Sequence, residues 1–415
     1  MIVIHIVIIG NSAAAINAVE IIRKHNNEAK ITMVSDEKEN AYSPILTTYY
    51  IGDKVDKDGM HFKDESFYIN NKINRKFGNK AVDIDPEDKK VYLNNNETIN
   101  YDKLLIATGA SPYLPDIKGL NKKGVFTVRK KKDALKIRDK AKKSKKAVIL
   151  GGGLVSLKTA SALTKLGIDI TVIIGSNKVL SQLLDDDSSK IVAEHLQKND
   201  YRILTGSRVN KIIGETKVKE VLLKSGKILS TDMVIIGKGV VPNKDLVENT
   251  NIKTDDGILV DNYMKTSLDN IYAAGDVAQT YDIVNDEKTV SGTWPVAVKQ
   301  GKIAGYNILG KEKKYKGSLT MNVIELYGLE IGTTGITQPP DNDKYQVITI
   351  DKKDYFKKFI IKENKIVGAI FVGDLSGGGL IRSIIRNKIK IDKLEPLNEF
   401  LTDLNHSKLI KKLNK

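Results

Sequence analysis

Apolar and polar positions fall into one pattern that occurs twice. Residues 2–9 (IVIHIVII) form an almost unbroken apolar, β-branched run, as expected of a parallel strand buried on both faces. Gly10 ends the run, and from Ser12 to Arg23 small and apolar residues recur at helical spacing. A second strand is expected over Ala29–Ser35, which completes a βαβ unit. The order returns at Ala147: AVIL, then Gly151-Gly152-Gly153, a helix expected over Leu154–Leu166, Gly167 and the strand IDITVII. Each copy closes on an apolar strand that stops at glycine, DKLLIATG at 102–109 and DMVIIGKG at 232–239. Between the copies, Lys122 to Lys146 is very basic, with apolar positions at Ala134, Leu135 and Ile137, and reads as a solvated connecting helix. From about Ser318 a third region alternates strand patterns (KYQVITI, then YFKKFIIKENKIVGAIFVG with a turn at Glu363-Asn364) before the final helices.

Both strand-to-helix junctions have the makings of a phosphate loop. In Gly10-Asn11-Ser12-Ala13-Ala14-Ala15 the glycine permits the tight turn, and the small residues let backbone N–H groups approach a pyrophosphate at the helix N-terminus. Ser12 and Ala15 replace two of the usual glycines, so the context matters. The following strand ends in Ser35-Asp36-Glu37, where a carboxylate can accept hydrogen bonds from an adenosine ribose, Asp36 first and Glu37 second. The second loop, Gly151-Gly152-Gly153-Leu154-Val155-Ser156, keeps the first two glycines and places serine at the third.

The chain of 415 residues is long enough for two or three domains, and 41% hydrophobic with 28% charged residues is a globular composition. No apolar run reaches the roughly 20 residues of a membrane helix, and the opening run has neither a basic leader nor a cleavage site, so a cytoplasmic protein is expected. Cysteine is absent and the 5 histidines are scattered, which removes disulfides, thiolate metal sites and redox cysteine pairs. No metal site is expected, and redox chemistry must come from a bound organic cofactor. The net charge of +16, from 67 Lys and Arg against 51 Asp and Glu, is compatible with nucleic acid, an anionic membrane or an acidic protein partner, and equally with a merely solvated basic surface; no nucleic-acid module accompanies it.

In order along the chain, the first loop, YDKLLIATGASP, the second loop, IGKGVVPN, IYAAGDV and WPVAVKQGKIAG resemble the two-dinucleotide-binding flavoproteins of the pyridine nucleotide-disulfide oxidoreductase family. The cysteine-free rubredoxin and ferredoxin reductases are the branch most similar, together with the flavin portion of NADH-dependent nitrite reductase. The resemblance implies an α/β fold with two Rossmann-like domains, one for FAD and one for NAD(P), plus a C-terminal α+β interface domain. Their expected extents are 1–116 with 244–317 for FAD, 117–243 for NAD(P), and 318–415 for the interface domain. It also implies that Gly275 and Asp276 meet the ribityl chain, and that Pro295 opens a helix facing the flavin ring. Ala107, Thr108 and Gly109 should lie along FAD, Val82 should meet the adenine through its backbone, and Gly237 should line the nicotinamide route. Gly151, Gly153, Val155 and Ser156 would form the NAD(P)H loop. In the cysteine-dependent relatives the redox cysteine sits in the segment Ala41-Tyr42-Ser43-Pro44-Ile45; here Ser43 remains a cofactor contact without thiol chemistry.

Two departures concern the second loop. Ile174 stands where an acid is expected for NAD, followed by Gly175-Ser176-Asn177-Lys178, with Lys178 the available cation for a 2′-phosphate. Lys158 stands where relatives commonly carry glutamate, and a cation there disfavours NAD⁺ relative to NADH. Three readings stay open. They are an FAD-dependent NAD(P)H:acceptor oxidoreductase serving an acidic electron carrier, an FAD/NAD(H) subunit of a 2-oxoacid or aldehyde oxidoreductase complex, and a non-catalytic FAD-binding module. No catalytic side chain is assigned, and a homodimer is left open.

Overall fold

The computed structural model describes residues 3–340, 343–394 and 396–404. Residue 2 of the expected opening strand and residues 405–415 of the expected C-terminal domain lie outside the described residues. The chain divides into two compact units: 1–47 with 55–111 and 240–318, and 48–54 with 112–239 and 319–415.

The first unit is built on a five-stranded, all-parallel sheet in the order Ile271–Ala273, Lys103–Ile106, His5–Ile9, Lys30–Ser35, Ile73–Phe77. The opening strand is buried from Ile6 onward because crossover helices cover a parallel sheet on both faces. Small residues then let two helices meet at backbone distance. A Cβ on Gly301 of the helix Trp294–Ile308 would lie 2.1 Å from the Ala14 carbonyl of the helix Ala13–His25. One on Gly305 would lie 2.8 Å from the Ala18 carbonyl. Residues Ala81–Asp85, Lys90–Leu93 and Thr98–Asn100 add a three-stranded antiparallel sheet.

The second unit repeats the plan with strands Arg202–Leu204, Asp169–Ile173, Lys146–Leu150, Met233–Ile236 and Val125–Thr127, again all parallel. The helix Leu154–Thr164 follows its glycine loop, and Val209–Ile213, Glu220–Leu223 and Ile228–Ser230 form the matching antiparallel sheet. The basic connector is the helix Lys131–Ala141, which buries Ala134 and Ile137 as expected but leaves Leu135 only half-buried. The fold is therefore α/β, with two Rossmann-like sheets.

A five-stranded antiparallel sheet completes the second unit, in the order Met321–Leu326, Leu329–Gly335, Lys365–Val372, Phe356–Lys362, Gln346–Asp351. Its hairpin turns at Glu363 (φ 48°) and Asn364 (φ 60°), the left-handed pair that a two-residue turn between twisted strands requires. Ile324, Leu326, Phe356 and Ile370 share one core with Leu157, Leu163, Val192 and Leu196 of the parallel-sheet layer. Polar ties reinforce that contact. Lys358 pairs with Asp185 and, at 2.8 Å, with Asp187, while the His195 ring lies 3.1 Å from each of the Leu326 and Tyr327 carbonyls.

Candidate nucleotide sites

In the first unit, three distant stretches of chain converge at the C-terminal edge of the sheet. Gly10 sits at φ 129°, its N–H bonded to the Val34 carbonyl at 2.8 Å, and a Cβ there would fall 2.2 Å from the Ala107 carbonyl. Only glycine lets the loop run this close to the neighbouring strand. Ser12 is the N-cap of the following helix yet makes no side-chain cap, and Ala13, Ala14 and Ala15 are buried behind it. Gly275, at φ 85°, packs beside this helix start: its Cβ would stand 3.3 Å from that of Ala14. The Asp276 carboxylate lies next to Gly292, with its Cγ 3.7 Å from where a Cβ would be. That glycine leads into Thr293, the N-cap of the helix Trp294–Ile308, which also lacks a side-chain cap and carries Pro295 in its first turn. The Ser291 hydroxyl is buried and has no hydrogen-bond partner among the described residues. Two uncapped helix starts, a carboxylate and an orphan hydroxyl thus gather in one unit, an arrangement that can accept a molecule with both phosphate and hydroxyl groups.

Several supports were not foreseen in the sequence. Gln300, fully buried, accepts from the Gly275 N–H at 2.8 Å and donates to Thr280 Oγ1 at 3.1 Å, which fixes the Gly275–Asp276 turn. Asn243 clamps the Ala107–Gly109 segment. Its Nδ2 donates to the Thr108 carbonyl at 2.8 Å, its N–H donates to the Gly109 carbonyl at 2.9 Å, and its own carbonyl accepts from Thr108 Oγ1 at 2.9 Å. Tyr68 links the first loop to the Ala41–Ile45 segment, donating to Asn11 Oδ1 at 2.9 Å and accepting from the Ala41 N–H at 2.8 Å; burial pushes its hydroxyl pKa up.

The remaining expected residues take definite places. Glu37 accepts from the Tyr42 hydroxyl at 2.9 Å, and Asp36 precedes it at the strand end. Ser43 is buried, its N–H bonded to the Met60 carbonyl at 2.9 Å. Val82 is exposed and sits at a β-bulge, where the register between Ala81 and Asp83 shifts, so its backbone is left outside the strand ladder.

In the second unit, Gly151 (φ 119°) repeats the close approach: its Cβ would fall 2.2 Å from the Gly237 carbonyl. Gly153 is the N-cap of the helix Leu154–Thr164 with open space around it, and Val155 is exposed beside it. Ser156 is buried and donates to the Gly237 carbonyl at 2.8 Å, so its hydroxyl ties the loop to the neighbouring strand end and faces inward. Lys178 is engaged elsewhere, with Asp186 at 2.7 Å and Gln338 at 3.1 Å. Lys158 reaches the Tyr49 hydroxyl at 3.5 Å and lies 5.1 Å from that ring's centre.

Residues 4–301 match the family model described as pyridine nucleotide-disulphide oxidoreductase. This chain belongs to that family. Residues 321–389 match the rubredoxin NAD⁺ reductase C-terminal domain, a range that contains the whole five-stranded antiparallel sheet of the second unit. Among the relatives of this chain, an NADH oxidase of Methanocaldococcus jannaschii is 34% identical over 390 residues, covering 88% of this chain and 87% of its own. The NADH-dependent phenylglyoxylate dehydrogenase subunit epsilon of Aromatoleum evansii is 29% identical over 393 residues, 93% of this chain and 92% of that one. The crystal structure of NADH:rubredoxin oxidoreductase from Clostridium acetobutylicum superposes with a TM-score of 0.81 at 28% identity, over 97% of this chain and all of that one. The chain is thus similar to rubredoxin-reductase-type NAD(P)H oxidoreductases, a family that binds NAD(P)H and typically FAD. With no cysteine in the sequence, thiol chemistry in any relative does not carry over. Among the described residues no helix is long and apolar enough to cross a membrane.

Proposed function

We propose that this chain is an FAD-dependent NAD(P)H:acceptor oxidoreductase that passes electrons to or from a protein redox partner. The observation that carries the reading is the convergence, in the first unit, of the Gly10 turn, the Gly275–Asp276 turn and the uncapped helix start at Thr293. When bound, FAD supplies the acceptor for a hydride and the donor of electrons to the next carrier. The protein's own part is binding and orientation. Backbone N–H groups at the Ala13 helix start receive a pyrophosphate, Asp276 and Ser291 meet hydroxyl groups of the linking chain, and the Asp36–Glu37 strand end meets the ribose. The positive end of the helix begun by Trp294 and Pro295 would be offered to a bound flavin ring and would favour negative charge on it. In the second unit the open space around Gly153 leaves room for the nicotinamide nucleotide beside the helix start at Leu154, while Gly151 and Gly237 let the loop pack against the neighbouring strand end. The net charge of +16 suits an acidic carrier such as rubredoxin or ferredoxin.

Anaerobic titration with NADH and NADPH tests the core of the reading: prompt bleaching of a flavin band is expected. A yellow protein that neither nucleotide bleaches would leave only a non-catalytic FAD-binding module. Carrier reduction should slow as salt rises, because exposed charges beyond the Debye length of about 8 Å at physiological ionic strength are screened. A second reading, an electron-transfer subunit of a 2-oxoacid or aldehyde oxidoreductase complex, is favoured by the similarity to the phenylglyoxylate dehydrogenase subunit. Stoichiometric partners on purification from the native source would decide for it.

A further inference from the structure

Backbone hydrogen bonds set the two nucleotide units in register and show what stands at the ribose end of the second. In the first unit the N–H groups of Gly10, Asn79 and Gly78 donate to the carbonyls of Val34, Ser35 and Glu37 at 2.8, 3.1 and 3.2 Å. In the second, those of Gly151, Ser207 and Gly206 donate to Ile173, Ile174 and Ser176 at 2.9, 2.9 and 2.8 Å. Ile174 is therefore the counterpart of Ser35, Gly175 of Asp36 and Ser176 of Glu37. No carboxylate occupies any of the three positions in the second unit. Ile174 itself is buried, and its Cδ1 lies 2.7 Å from where a Cβ on Gly152 would be, so it closes over the glycine loop and offers a ribose nothing polar.

The same strap delivers a cation. Arg208, one residue beyond Ser207, crosses Gly175: a Cβ built there would meet Arg208 Nε at 3.7 Å and Cγ at 3.8 Å. Arg208 is exposed, and its guanidinium has no hydrogen-bond or ion-pair partner among the described residues. Lys238, directly after Gly237 at the end of the neighbouring strand, adds a second positive charge. Burial, and then repulsion from Arg208, hold its ammonium pKa below the usual value. Lys178, the cation nearest in sequence, is by contrast neutralised by Asp186. The ribose end of this loop is thus electropositive, uncompensated, and equipped with a planar fork suited to a phosphate.

We propose that Arg208 reads the 2′-phosphate of an NADPH-type nucleotide and makes NADPH the preferred partner of the second unit. The inference rests on the reading of this chain as a nicotinamide-nucleotide oxidoreductase and deepens it by naming the nucleotide. Calorimetric binding of 2′,5′-ADP and 5′-ADP to the FAD-loaded protein tests it without turnover. The phosphorylated ligand should bind about 10- to 100-fold more tightly, the value of one charge-assisted bidentate contact. Arg208→Ala should bring the two affinities to within about twofold of each other, Arg208→Lys should retain part of the ratio, and Lys178→Ala should keep it whole. Matching thermal unfolding of the variants and the parent would show that the fold is intact. Equal affinities in the parent protein, or a ratio that survives Arg208→Ala, would overturn the assignment. If NADH and NADPH bleach the flavin equally well and the two ligands bind alike, the nucleotide assignment falls and the oxidoreductase stands. If neither nucleotide bleaches it and neither ligand binds, both fall.

Discussion

The first and second parallel sheets share a backbone plan down to individual hydrogen bonds, yet each spends its side chains differently around that plan. In the first, the glycine loop is followed by carboxylates at Asp36 and Glu37, and the site is finished by a segment more than 200 residues away, at Gly275, Asp276 and the helix from Trp294. In the second, the glycine loop is followed by Ile174 and Gly175, and the charge comes from Arg208 in the adjoining loop. The support differs as well. The first loop helix lies backbone to backbone against another helix through Gly301 and Gly305, whereas the second shares its core with an antiparallel sheet. On the proposed reading, one scaffold fixes where a pyrophosphate would go, and the residues strapped to its strand ends would determine which nucleotide follows.

The comparison breaks most visibly at the paired glycines. Gly10→Ala should lower FAD retention at least about tenfold, because the added Cβ collides with the Ala107 carbonyl at a φ that costs about 1–3 kcal/mol outside glycine. Gly151→Ala should leave a yellow protein that NAD(P)H no longer bleaches. Absorbance per chain and a nucleotide titration separate the two, and identical phenotypes would erase the distinction drawn here. Next in size, Leu326→Ala opens the shared core of the second unit and should cost about 2–5 kcal/mol in denaturant unfolding while leaving FAD bound. Gln300→Ala sharpens the contrast from the other side. It removes a buried brace found in the first unit, should cost about 1–3 kcal/mol, and should weaken FAD more than NAD(P)H binding.

The smallest effect is pH-dependent. Burial raises the Asp374 pKa, but hydrogen bonds from Lys357 and Ser376 more than offset this and hold it at about 2. A carboxyl depressed in the folded state contributes stability above its ordinary pKa of 3.8 and loses it as pH falls towards 2. Asp374 is 38% exposed, so solvent screening reduces the contribution to about 1 kcal/mol. Asp374→Asn should flatten the acid limb of the unfolding profile between those two pH values, and an unchanged limb would remove the ion pair from the account.

Much of this was legible because apolar runs ending in glycine report parallel strands directly. The strands at His5, Lys30, Lys146 and Asp169, both loop helices and the turn at Glu363-Asn364 follow from local pattern alone. The short edge strands Val125–Thr127 and Arg202–Leu204, and the antiparallel sheets near residues 81–100 and 209–230, have too little periodicity to announce themselves. Geometry was readable where it is local, as at the Gly10 turn, and hidden where it depends on long-range register. Gln300 looks like an ordinary helix residue until Gly275 is placed beside it, and Arg208 like a surface arginine until the loop containing it is strapped to the end of a strand. Ser156 shows the converse: its position in the loop motif suggests a ligand contact, and the fold turns its hydroxyl inward onto Gly237.

The close approach of Ala14 to Gly301 has a consequence for biosynthesis. A ribosome releases the opening helix almost 300 residues before the segment it must grip, so the first nucleotide unit cannot close while its middle is being made. The inserted stretch from 112 to 239 emerges in the interval and can fold its own sheet, leaving the amino-terminal strands waiting with an unfinished edge. Nascent chains arrested before residue 294 should therefore be more protease-sensitive in their first hundred residues than in the insert that follows.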